Sequence, residues 1–371
     1  MNLEELENLR AEIAETDEKI LELVGKRLEL AKKVGDFKVQ HGMTIKAFDV
    51  EKKVLERYQK ISESLGIDKQ LSASLSKILI DHACKVQEKI KFTSAAEAYK
   101  SSASPGKALI IGGSGNMGVW FSNFLDSFGY QISVFDKYSS KHNYKNIDEK
   151  DLESEITSVD IVVIASPLSK TSESIDLVAK TKTKALVFDI ASLKSPVLES
   201  LKAAASSLEN LVSIHPMFGP DIDLLTGENI LICDLGCKKA TEAAKGLFSK
   251  TAANVTVTTP EHHDELMNEV LGLSHIINLL FGKASLSSNI SDKLLSAAKS
   301  TTFKNQLSVS SKVASENSEL YFEIQNLNPF TPELYSRIRT SLDQLTSLVL
   351  LGNKEDFQKE MHQMSLRLYK I

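Results

Sequence analysis

A run of closely spaced glycines, Gly113-Ser114-Gly115-Asn116-Met117-Gly118, directly follows the apolar segment Ala108 to Ile111. Glycines at this spacing allow a tight turn and close backbone approach to a pyrophosphate, while the helix that follows supplies free N–H groups. Asp136 ends the next apolar segment, where a carboxylate accepts hydrogen bonds from the ribose of NAD. These residues predict a dinucleotide site that prefers NAD, since Asp136 repels a 2′-phosphate. NADP is the less favoured alternative, because Lys137 offers that phosphate a cation.

A histidine and a serine follow two further apolar segments. His215 comes after Leu211 to Ile214 and begins the hexapeptide His-Pro-Met-Phe-Gly-Pro, and Ser192 comes after Ala185 to Ile190. Parallel sheets bind their ligands outside the carboxyl ends of the strands. A histidine there can take a proton from a hydroxyl group, because its ordinary pKa of about 6.5 keeps it largely neutral at about pH 7. From the residues alone, a turn histidine bonded to backbone is an equally good interpretation.

Cations recur at helical spacing near the start of the chain. Arg27 and Lys38 are eleven residues apart, so on a helix they share one face, about 16 Å apart along the axis. Two long cations placed this way could hold one anion between them. Arg10 lies seventeen residues before Arg27 and is rotated about 100° away, so it could reach such a site only on a partner chain. Taken alone, these cations are better explained as surface salt bridges.

The elements that must position these residues change in character along the chain. Residues 1–93 contain no proline and four glycines, which predicts an all-helical domain of one long helix ending near Gly42 and two shorter helices, Phe48 to Leu65 and Leu71 to Phe92. A helix of roughly 60 Å cannot be covered by two shorter ones, so we expect a homodimer.

The rest of the chain divides into three segments. A linker of Ser/Ala-rich composition is followed by short β-branched runs that alternate with helical stretches, which predicts an α/β dinucleotide-binding domain with a parallel sheet. The five runs that predict strands are Ala108 to Ile111, Gln131 to Phe135, Asp160 to Ala165, Ala185 to Ile190 and Leu211 to Ile214. A helical domain that dimerises comes last. The expected boundaries are 1–93 for the first helical domain, 94–106 for the linker, 107–259 for the α/β domain and 260–371 for the last domain.

Composition excludes several classes of function. The net charge of -5 is too acidic for a generic nucleic-acid binder, and no apolar run approaches the ~20 residues of a membrane span. The charged N-terminal segment is not a signal peptide, so we expect a cytoplasmic protein that binds small molecules. Three cysteines cannot form a disulfide framework. No metal site is expected, since His262, His263 and Asp264 lack a further ligand nearby and are interpreted as helix-capping residues.

The hexapeptide at His215 and the segment Ala191-Ser192-Leu193-Lys194 resemble prephenate dehydrogenases, over roughly residues 107–371. The resemblance implies that prephenate is oxidatively decarboxylated with NAD to 4-hydroxyphenylpyruvate. It further implies that His215 accepts the proton of the substrate hydroxyl and that Ser192 orients this hydroxyl and the nicotinamide. His275 lies in a segment similar to a pocket helix of the family and is a candidate substrate residue, with a core histidine as the equal alternative.

One position departs from the dehydrogenase pattern. The family usually presents an arginine to a substrate carboxylate, and the matching residue here is Lys304, with Lys312 a further candidate. Lysine supplies the charge but not the planar, two-pronged hydrogen bonding of arginine. Altered recognition of the carboxylate is therefore expected, and arogenate is a competing substrate.

Residues 3–90 resemble the all-helical chorismate mutases, in segments such as Lys26 to Ala31 and Val34 to Lys38. Position by position, the resemblance implies that the carboxylates of chorismate are bound by Arg10 of one chain and Arg27 of the other. It also implies that Lys38 and Gln87 bind the ether oxygen of the substrate and that Glu51 contacts its hydroxyl group. The rearrangement builds negative charge on the ether oxygen, so an ammonium there favours the transition state, and no cofactor is needed. Three positions, Ala47, Val50 and Ala83, depart from the family pattern.

Together the two resemblances imply a bifunctional enzyme that converts chorismate to prephenate and then prephenate to 4-hydroxyphenylpyruvate. The departures in the helical half leave a second interpretation open, in which residues 1–93 are a non-catalytic regulatory or dimerising module attached to a prephenate or arogenate dehydrogenase.

Overall fold

The computed structural model describes residues 3–41, 48–102, 106–137, 144–222, 225, 228–249, 251 and 253–369. Its helices are α1 (Leu3–Gln40), α2 (Phe48–Leu65), α3 (Lys69–Ser102), α4 (Asn116–Ser127), α5 (Leu152–Ser158), α6 (Leu168–Lys180), α7 (Leu198–Ala205), α8 (Lys238–Phe248), α9 (Pro260–Met267), α10 (Ser274–Leu286), α11 (Asp292–Ala297), α12 (Thr301–Ser315), α13 (Ser318–Leu327), α14 (Thr331–Leu350) and α15 (Lys354–Leu368). Its strands are β1 (Lys107–Ile111), β2 (Gln131–Phe135), β3 (Lys145–Asn146), β4 (Ile161–Ile164), β5 (Leu186–Asp189), β6 (Leu211–Pro216), β7 (Asn229–Cys233) and β8 (Asn254–Thr258).

The expected fold class is confirmed: a helical segment precedes an α/β segment, and helices follow it. The chain divides into two compact units, one of Met1–Ala191 with Ser200–Thr258 and one of Ser192–Glu199 with Thr259–Ile371. The domain boundaries of the sequence analysis stay predictions.

The first three helices pack through α3, which contacts both α1 and α2. Helices α1 and α3 run in the same direction, since Arg27 contacts Leu79 and Lys38 contacts Gln87. The predicted end of the third helix at Phe92 is wrong, because α3 continues through nine residues of the expected linker to Ser102. Residues 93–102 hold three alanines and neither glycine nor proline, so their backbone favours helix despite the serines.

The α/β segment forms an eight-stranded sheet of order β3-β2-β1-β4-β5-β6-β7-β8. Strands β1 to β6 are parallel, β7 pairs antiparallel to β6, and β8 is parallel to β7. The five predicted strands are β1, β2, β4, β5 and β6, so the sequence analysis missed β3, β7 and β8. The prediction of a parallel sheet is wrong at β7, because only twelve residues join β6 to β7 and their described part contains no helix that could carry the chain back across the sheet.

The core of the sheet lies against helices α4 and α8. Strands β1 and β4 are apolar and almost wholly buried, as expected of strands covered on both faces. Helix α4 places Phe121, Phe124 and Leu125 in this core, one to three residues apart on the face turned to the sheet. The ends of β1 and β2 are thereby held rigidly beside the glycine turn.

The second unit is helical and includes the short segment Ser192–Glu199. Helix α9 leads through one turn of π-helix, Asn268–Leu273, into α10, which packs against α12. In the described part of the chain, no helix has the length and apolar character to cross a membrane.

Candidate active sites

Arg27 and Lys38, which the helical spacing placed on one face, both reach α3. The Nη1 atom of Arg27 donates a hydrogen bond to the carbonyl oxygen of Leu79 at 2.6 Å, and the Nζ atom of Lys38 donates one to Oε1 of Gln87 at 3.1 Å. Gln87 is buried, and both cations are half-buried. The structure therefore brings together Lys38 and Gln87, the two residues assigned to the ether oxygen, on adjacent helices. Arg27 lies three helical turns before Lys38 on α1.

Gly35 determines how closely α1 and α3 approach at this point. A Cβ atom at Gly35 would lie 3.0 Å from Cγ of Gln87 and 3.0 Å from Cδ1 of Ile90, tighter than ordinary contacts. A larger residue would therefore push Gln87 away from Lys38. This role of Gly35 was not predicted, although a small residue one turn before Lys38 is a signal for close helix packing.

The structure does not bring Arg10 to this cluster. Arg10 lies on the exposed first half of α1, 17 residues before Arg27. The backbone of Glu51 lies in α2, but its side chain lies outside the described residues, as do Ala47 and the side chain of Val50. Ala83 is buried on α3, one turn before Gln87, and presents a methyl group at this position, which departs from the family pattern.

The glycine fingerprint forms a cradle between β1 and α4. A Cβ atom at Gly118 would lie 2.3 Å from the carbonyl oxygen of Gly112, so only glycine fits there. Helix α4 begins after Gly115 without a side-chain cap, which leaves its first N–H groups directed outward from the turn. An uncapped helix N-terminus beside an open glycine turn is suited to bind a pyrophosphate, as expected for Gly113, Ser114, Gly115, Asn116, Met117 and Gly118.

Asp136 lies directly beside this turn. It follows β2, the neighbour of β1, and its Oδ2 atom accepts a hydrogen bond from the backbone N–H of Ser114 at 2.9 Å. The carboxylate is thereby fixed at the edge of the cradle, where it can also accept from a ribose hydroxyl. The same charge disfavours a 2′-phosphate.

His215 is the fifth residue of β6, and its side chain is 6 % exposed. The parallel pairing of β5 with β6 ends at Asp189 and Ser213, whereas the antiparallel pairing of His215 with Leu231 of β7 continues beyond it. Strand β7 therefore supports the histidine past the end of the parallel sheet. Strand β6 is three positions from β1, about 14 Å across the sheet, and His215 lies at the same sheet edge as the glycine cradle.

The segment that carries Ser192 is held by Asp264. The Asp264 carboxylate is buried and accepts the backbone N–H groups of Lys194 at 2.8 Å and Ser195 at 2.6 Å. Nδ1 of His263 lies 2.7 Å from the same carboxylate. Burial alone would raise the pKa of Asp264, but hydrogen bonds, first from His263 and then from Ser195 and Lys194, outweigh burial and lower it.

The predicted capping role of residues 262–264 needs a correction. The N-cap of α9 is Thr259, whose side chain accepts from the N–H of His262. Asp264 caps a different element, the 3₁₀ turn Ser195–Val197, nearly seventy residues earlier in the chain. Among the described residues, no group of three His, Cys, Asp or Glu side chains could hold a metal ion.

His275 lies buried on α10, stacked on the ring of Tyr321 with centroids 4.0 Å apart. Burial lowers the pKa of His275 to about 4, so the ring is neutral at about pH 7. Its buried Nδ1 atom has no hydrogen-bond partner among the described residues. A neutral ring of this kind can orient a substrate but cannot supply charge to a carboxylate. Lys304 and Lys312 are both exposed on α12.

Comparison with known proteins agrees with both the helical N-terminal segment and the α/β segment. Residues 9–88 match the family model described as chorismate mutase type II, and residues 128–257 match the prephenate dehydrogenase nucleotide-binding domain. The T-protein of Enterobacter agglomerans is 24% identical over 353 residues, which cover 95% of this chain and 90% of that protein. A chorismate mutase of Methanocaldococcus jannaschii is 34% identical over 86 residues, 23% of this chain and 87% of that protein.

The chain belongs to the bifunctional chorismate mutase and prephenate dehydrogenase family. Among solved structures, the prephenate dehydrogenase of Aquifex aeolicus, in complex with hydroxyphenyl propionate and NAD+, has the same dehydrogenase fold. The TM-score is 0.60 at 19% identity, over 73% of this chain and 99% of that one. Within this family the chain is an enzyme, a chorismate mutase and a prephenate dehydrogenase, and its α/β segment matches the nucleotide-binding domain of the dehydrogenases.

Proposed function

We propose that the helical cluster on α1 and α3 catalyses the rearrangement of chorismate to prephenate. The observation that carries this proposal is the contact between Lys38 and Gln87. The ammonium of Lys38 meets the amide oxygen of Gln87, which leaves the amide N–H groups of Gln87 to donate alongside Lys38. Two converging donors stabilise an ether oxygen that gains negative charge as its bond breaks. Arg27 supplies a cation three turns away for a carboxylate, and Glu51 is assigned to the hydroxyl.

We further propose that the dehydrogenase reaction takes prephenate as substrate and gives 4-hydroxyphenylpyruvate and CO2 as products. NAD+, held by the glycine cradle and Asp136, supplies the hydride acceptor when bound. His215 takes the proton of the substrate hydroxyl. Ser192 orients that hydroxyl, and His275 contributes a neutral ring to the substrate pocket.

Arogenate is the second candidate substrate of the dehydrogenase. Lys304 stands where the family usually has arginine, and it is exposed on α12. A lysine binds a carboxylate as a point charge, without the paired hydrogen bonds of a guanidinium group. Comparison of kcat/KM for prephenate and arogenate on one preparation decides between them, and a higher value for arogenate would replace the prephenate assignment.

The active form is a homodimer in the cytoplasm. Apolar residues of α1 that α3 does not cover, Leu9, Ile13, Ile20 and Leu23, are 46%, 61%, 51% and 65% exposed. Leu9, Ile13 and Ile20 lie on the half of the helix that also carries Arg10, and Leu23 lies just beyond it. A second copy of α1 would cover this face and bring Arg10 to the partner's site. Sedimentation equilibrium tests this, and a monomer at micromolar concentration would overturn it.

The two activities are tested on one protein by crossed variants. We expect chorismate to be consumed without cofactor, and NAD+ to be reduced on addition of prephenate. Lys38→Ala should lower mutase turnover by about 10²–10³ and spare NAD+ reduction. His215→Asn should lower dehydrogenase turnover by about 10²–10⁴ and spare the mutase. An unaltered chain that reduces NAD+ but leaves chorismate intact would instead make the helical segment a regulatory or dimerising module.

A further inference from the structure

The tryptophan of this chain, Trp120, joins two segments that are far apart in sequence. Its indole Nε1 donates a hydrogen bond to the carbonyl oxygen of Ile222 at 2.7 Å, across 102 residues. Its ring also packs against Phe218, with centroids 5.1 Å apart and planes inclined by 57°. The indole is also stacked on Phe124 of its own helix at 5.1 Å, with the planes nearly parallel at 12°.

Each of these segments belongs to a part of the dehydrogenase site. Trp120 lies on α4, two residues after Gly118, on the helix that begins at the glycine cradle. Phe218 and Ile222 lie in the segment that follows His215 and β6. This segment leaves the sheet after the hydrogen bond of the Met217 N–H to Asn229 and is exposed from Gly219 to Asp221.

We propose that Trp120 is a positioning residue for the dehydrogenase reaction: it fastens the segment after His215 to the helix of the glycine cradle. This inference rests on the proposed role of His215 as the base. The base and the cofactor cradle must keep a fixed separation, because a displacement of about 1 Å can cost about a hundredfold in rate. Strand β7 holds His215 from one side of β6, and the indole holds the chain that continues from it.

Trp120→Phe is the variant of choice, since it keeps an aromatic ring against Phe124 and Phe218 but removes the N–H donor. Tyr144→Phe is the matched control. The Tyr144 hydroxyl donates to Oδ1 of Asn123, also on α4, at 2.9 Å, so this change removes one side-chain hydrogen bond from the same helix without touching the segment after His215.

Two measurements are made on the full-length variants. The first is steady-state kinetics with prephenate and NAD+, together with mutase activity as an internal control for folding. We expect Trp120→Phe to lower dehydrogenase kcat about tenfold, with KM for NAD+ and mutase activity within about twofold of the unaltered chain. The second is amide hydrogen exchange in peptides covering residues 215–222, which we expect to be faster in Trp120→Phe and unchanged in Tyr144→Phe.

The outcomes separate this proposal from the proposed function. Unchanged kcat, or unchanged exchange in the peptides covering residues 215–222, would overturn the positioning role. Equal losses of kcat, NAD+ affinity and mutase activity would also overturn it, because they indicate a general loss of folding. An unaltered chain that does not reduce NAD+ with prephenate would overturn the dehydrogenase assignment, whereas the exchange comparison requires no turnover and still tests the anchor.

Discussion

Lys38 donates a hydrogen bond to Gln87 one helical turn after Gly35, where the missing side chain of the glycine allows α1 and α3 to approach closely. The amide oxygen of Gln87 accepts from the ammonium, and the amide group of Gln87 also carries N–H groups that can donate to a ligand. The pair thus presents positive charge and a neutral donor together. This combination stabilises an oxygen that becomes anionic more than one that stays neutral.

Replacement of Gln87 by glutamate should make the mutase dependent on pH. At pH 8 the new carboxylate is ionised and repels the developing charge on the ether oxygen, so we expect kcat/KM for chorismate to fall by about 10²-fold. As the pH falls toward 5, protonation restores a donor and part of the activity. The pH profile between 5 and 8.5 measures this, and dehydrogenase activity on added prephenate is the control. A variant as active as the unaltered chain at pH 8 would remove Gln87 from the site.

Gly35→Ala should lower mutase kcat/KM about tenfold or more, because the new methyl group displaces Gln87 from Lys38. Gly25→Ala on the same helix is the matched control, since a Cβ there meets nothing within 4 Å. The control should keep its activity and gain up to about 1 kcal/mol of helix stability. Equal activities for the two variants would show that close packing at Gly35 does not matter for the reaction.

Asp264→Asn should destabilise the second unit and disturb the segment that carries Ser192. The buried carboxylate accepts two backbone N–H groups, and the loss of such charged hydrogen bonds costs about 2–3 kcal/mol. The pKa of Asp264 is lower in the folded state than in the unfolded chain, so this stability is present above the unfolded pKa of about 4 and is lost as the pH falls through the folded pKa.

Urea unfolding midpoints measured from pH 7 to pH 3 test this prediction. The difference between the unaltered chain and Asp264→Asn should be constant at neutral pH and shrink below about pH 4. The exposed Glu265, on the same helix, provides the control Glu265→Gln, which should behave like the unaltered chain. A difference independent of pH would mean that the charge of Asp264 is not what stabilises the segment.

Asp136→Ala should weaken NAD+ more than NADP+. The change removes an acceptor for the ribose hydroxyls and a negative charge that repels a 2′-phosphate, so we expect KM for NAD+ to rise about tenfold and KM for NADP+ to change less or fall. Initial rates with both dinucleotides measure the ratio. Lys137→Ala tests the neighbouring cation, and equal changes for the two dinucleotides in Asp136→Ala would contradict the cofactor preference.

Local periodicity was sufficient to predict most of the fold. The strand Gln131–Phe135 and the helix Phe48–Leu65 have the bounds that were expected, because alternation of apolar residues and helical spacing are properties of short segments. Strand β7 has an equally apolar sequence, Asn-Ile-Leu-Ile-Cys, but its direction depends on the path of the chain after β6. A sequence pattern carries no information about that path.

The contacts that complete the candidate sites are long-range and were harder to predict. Helical spacing placed Arg27 and Lys38 on one face, but the choice of Gln87 as partner came from the resemblance to chorismate mutases. No local signal joins Asp264 to Ser195, or Trp120 to Ile222. In each pair, the side chain of a helical residue reaches a backbone group far away in sequence, and only the folded elements bring the two together.

The position of Trp120 has an optical consequence. The chain contains a single tryptophan, so its indole emission comes from one place between α4 and the segment after His215. A dinucleotide that changes this emission can be titrated in unlabelled protein. The same signal follows the dehydrogenase domain alone in a chain that carries two activities.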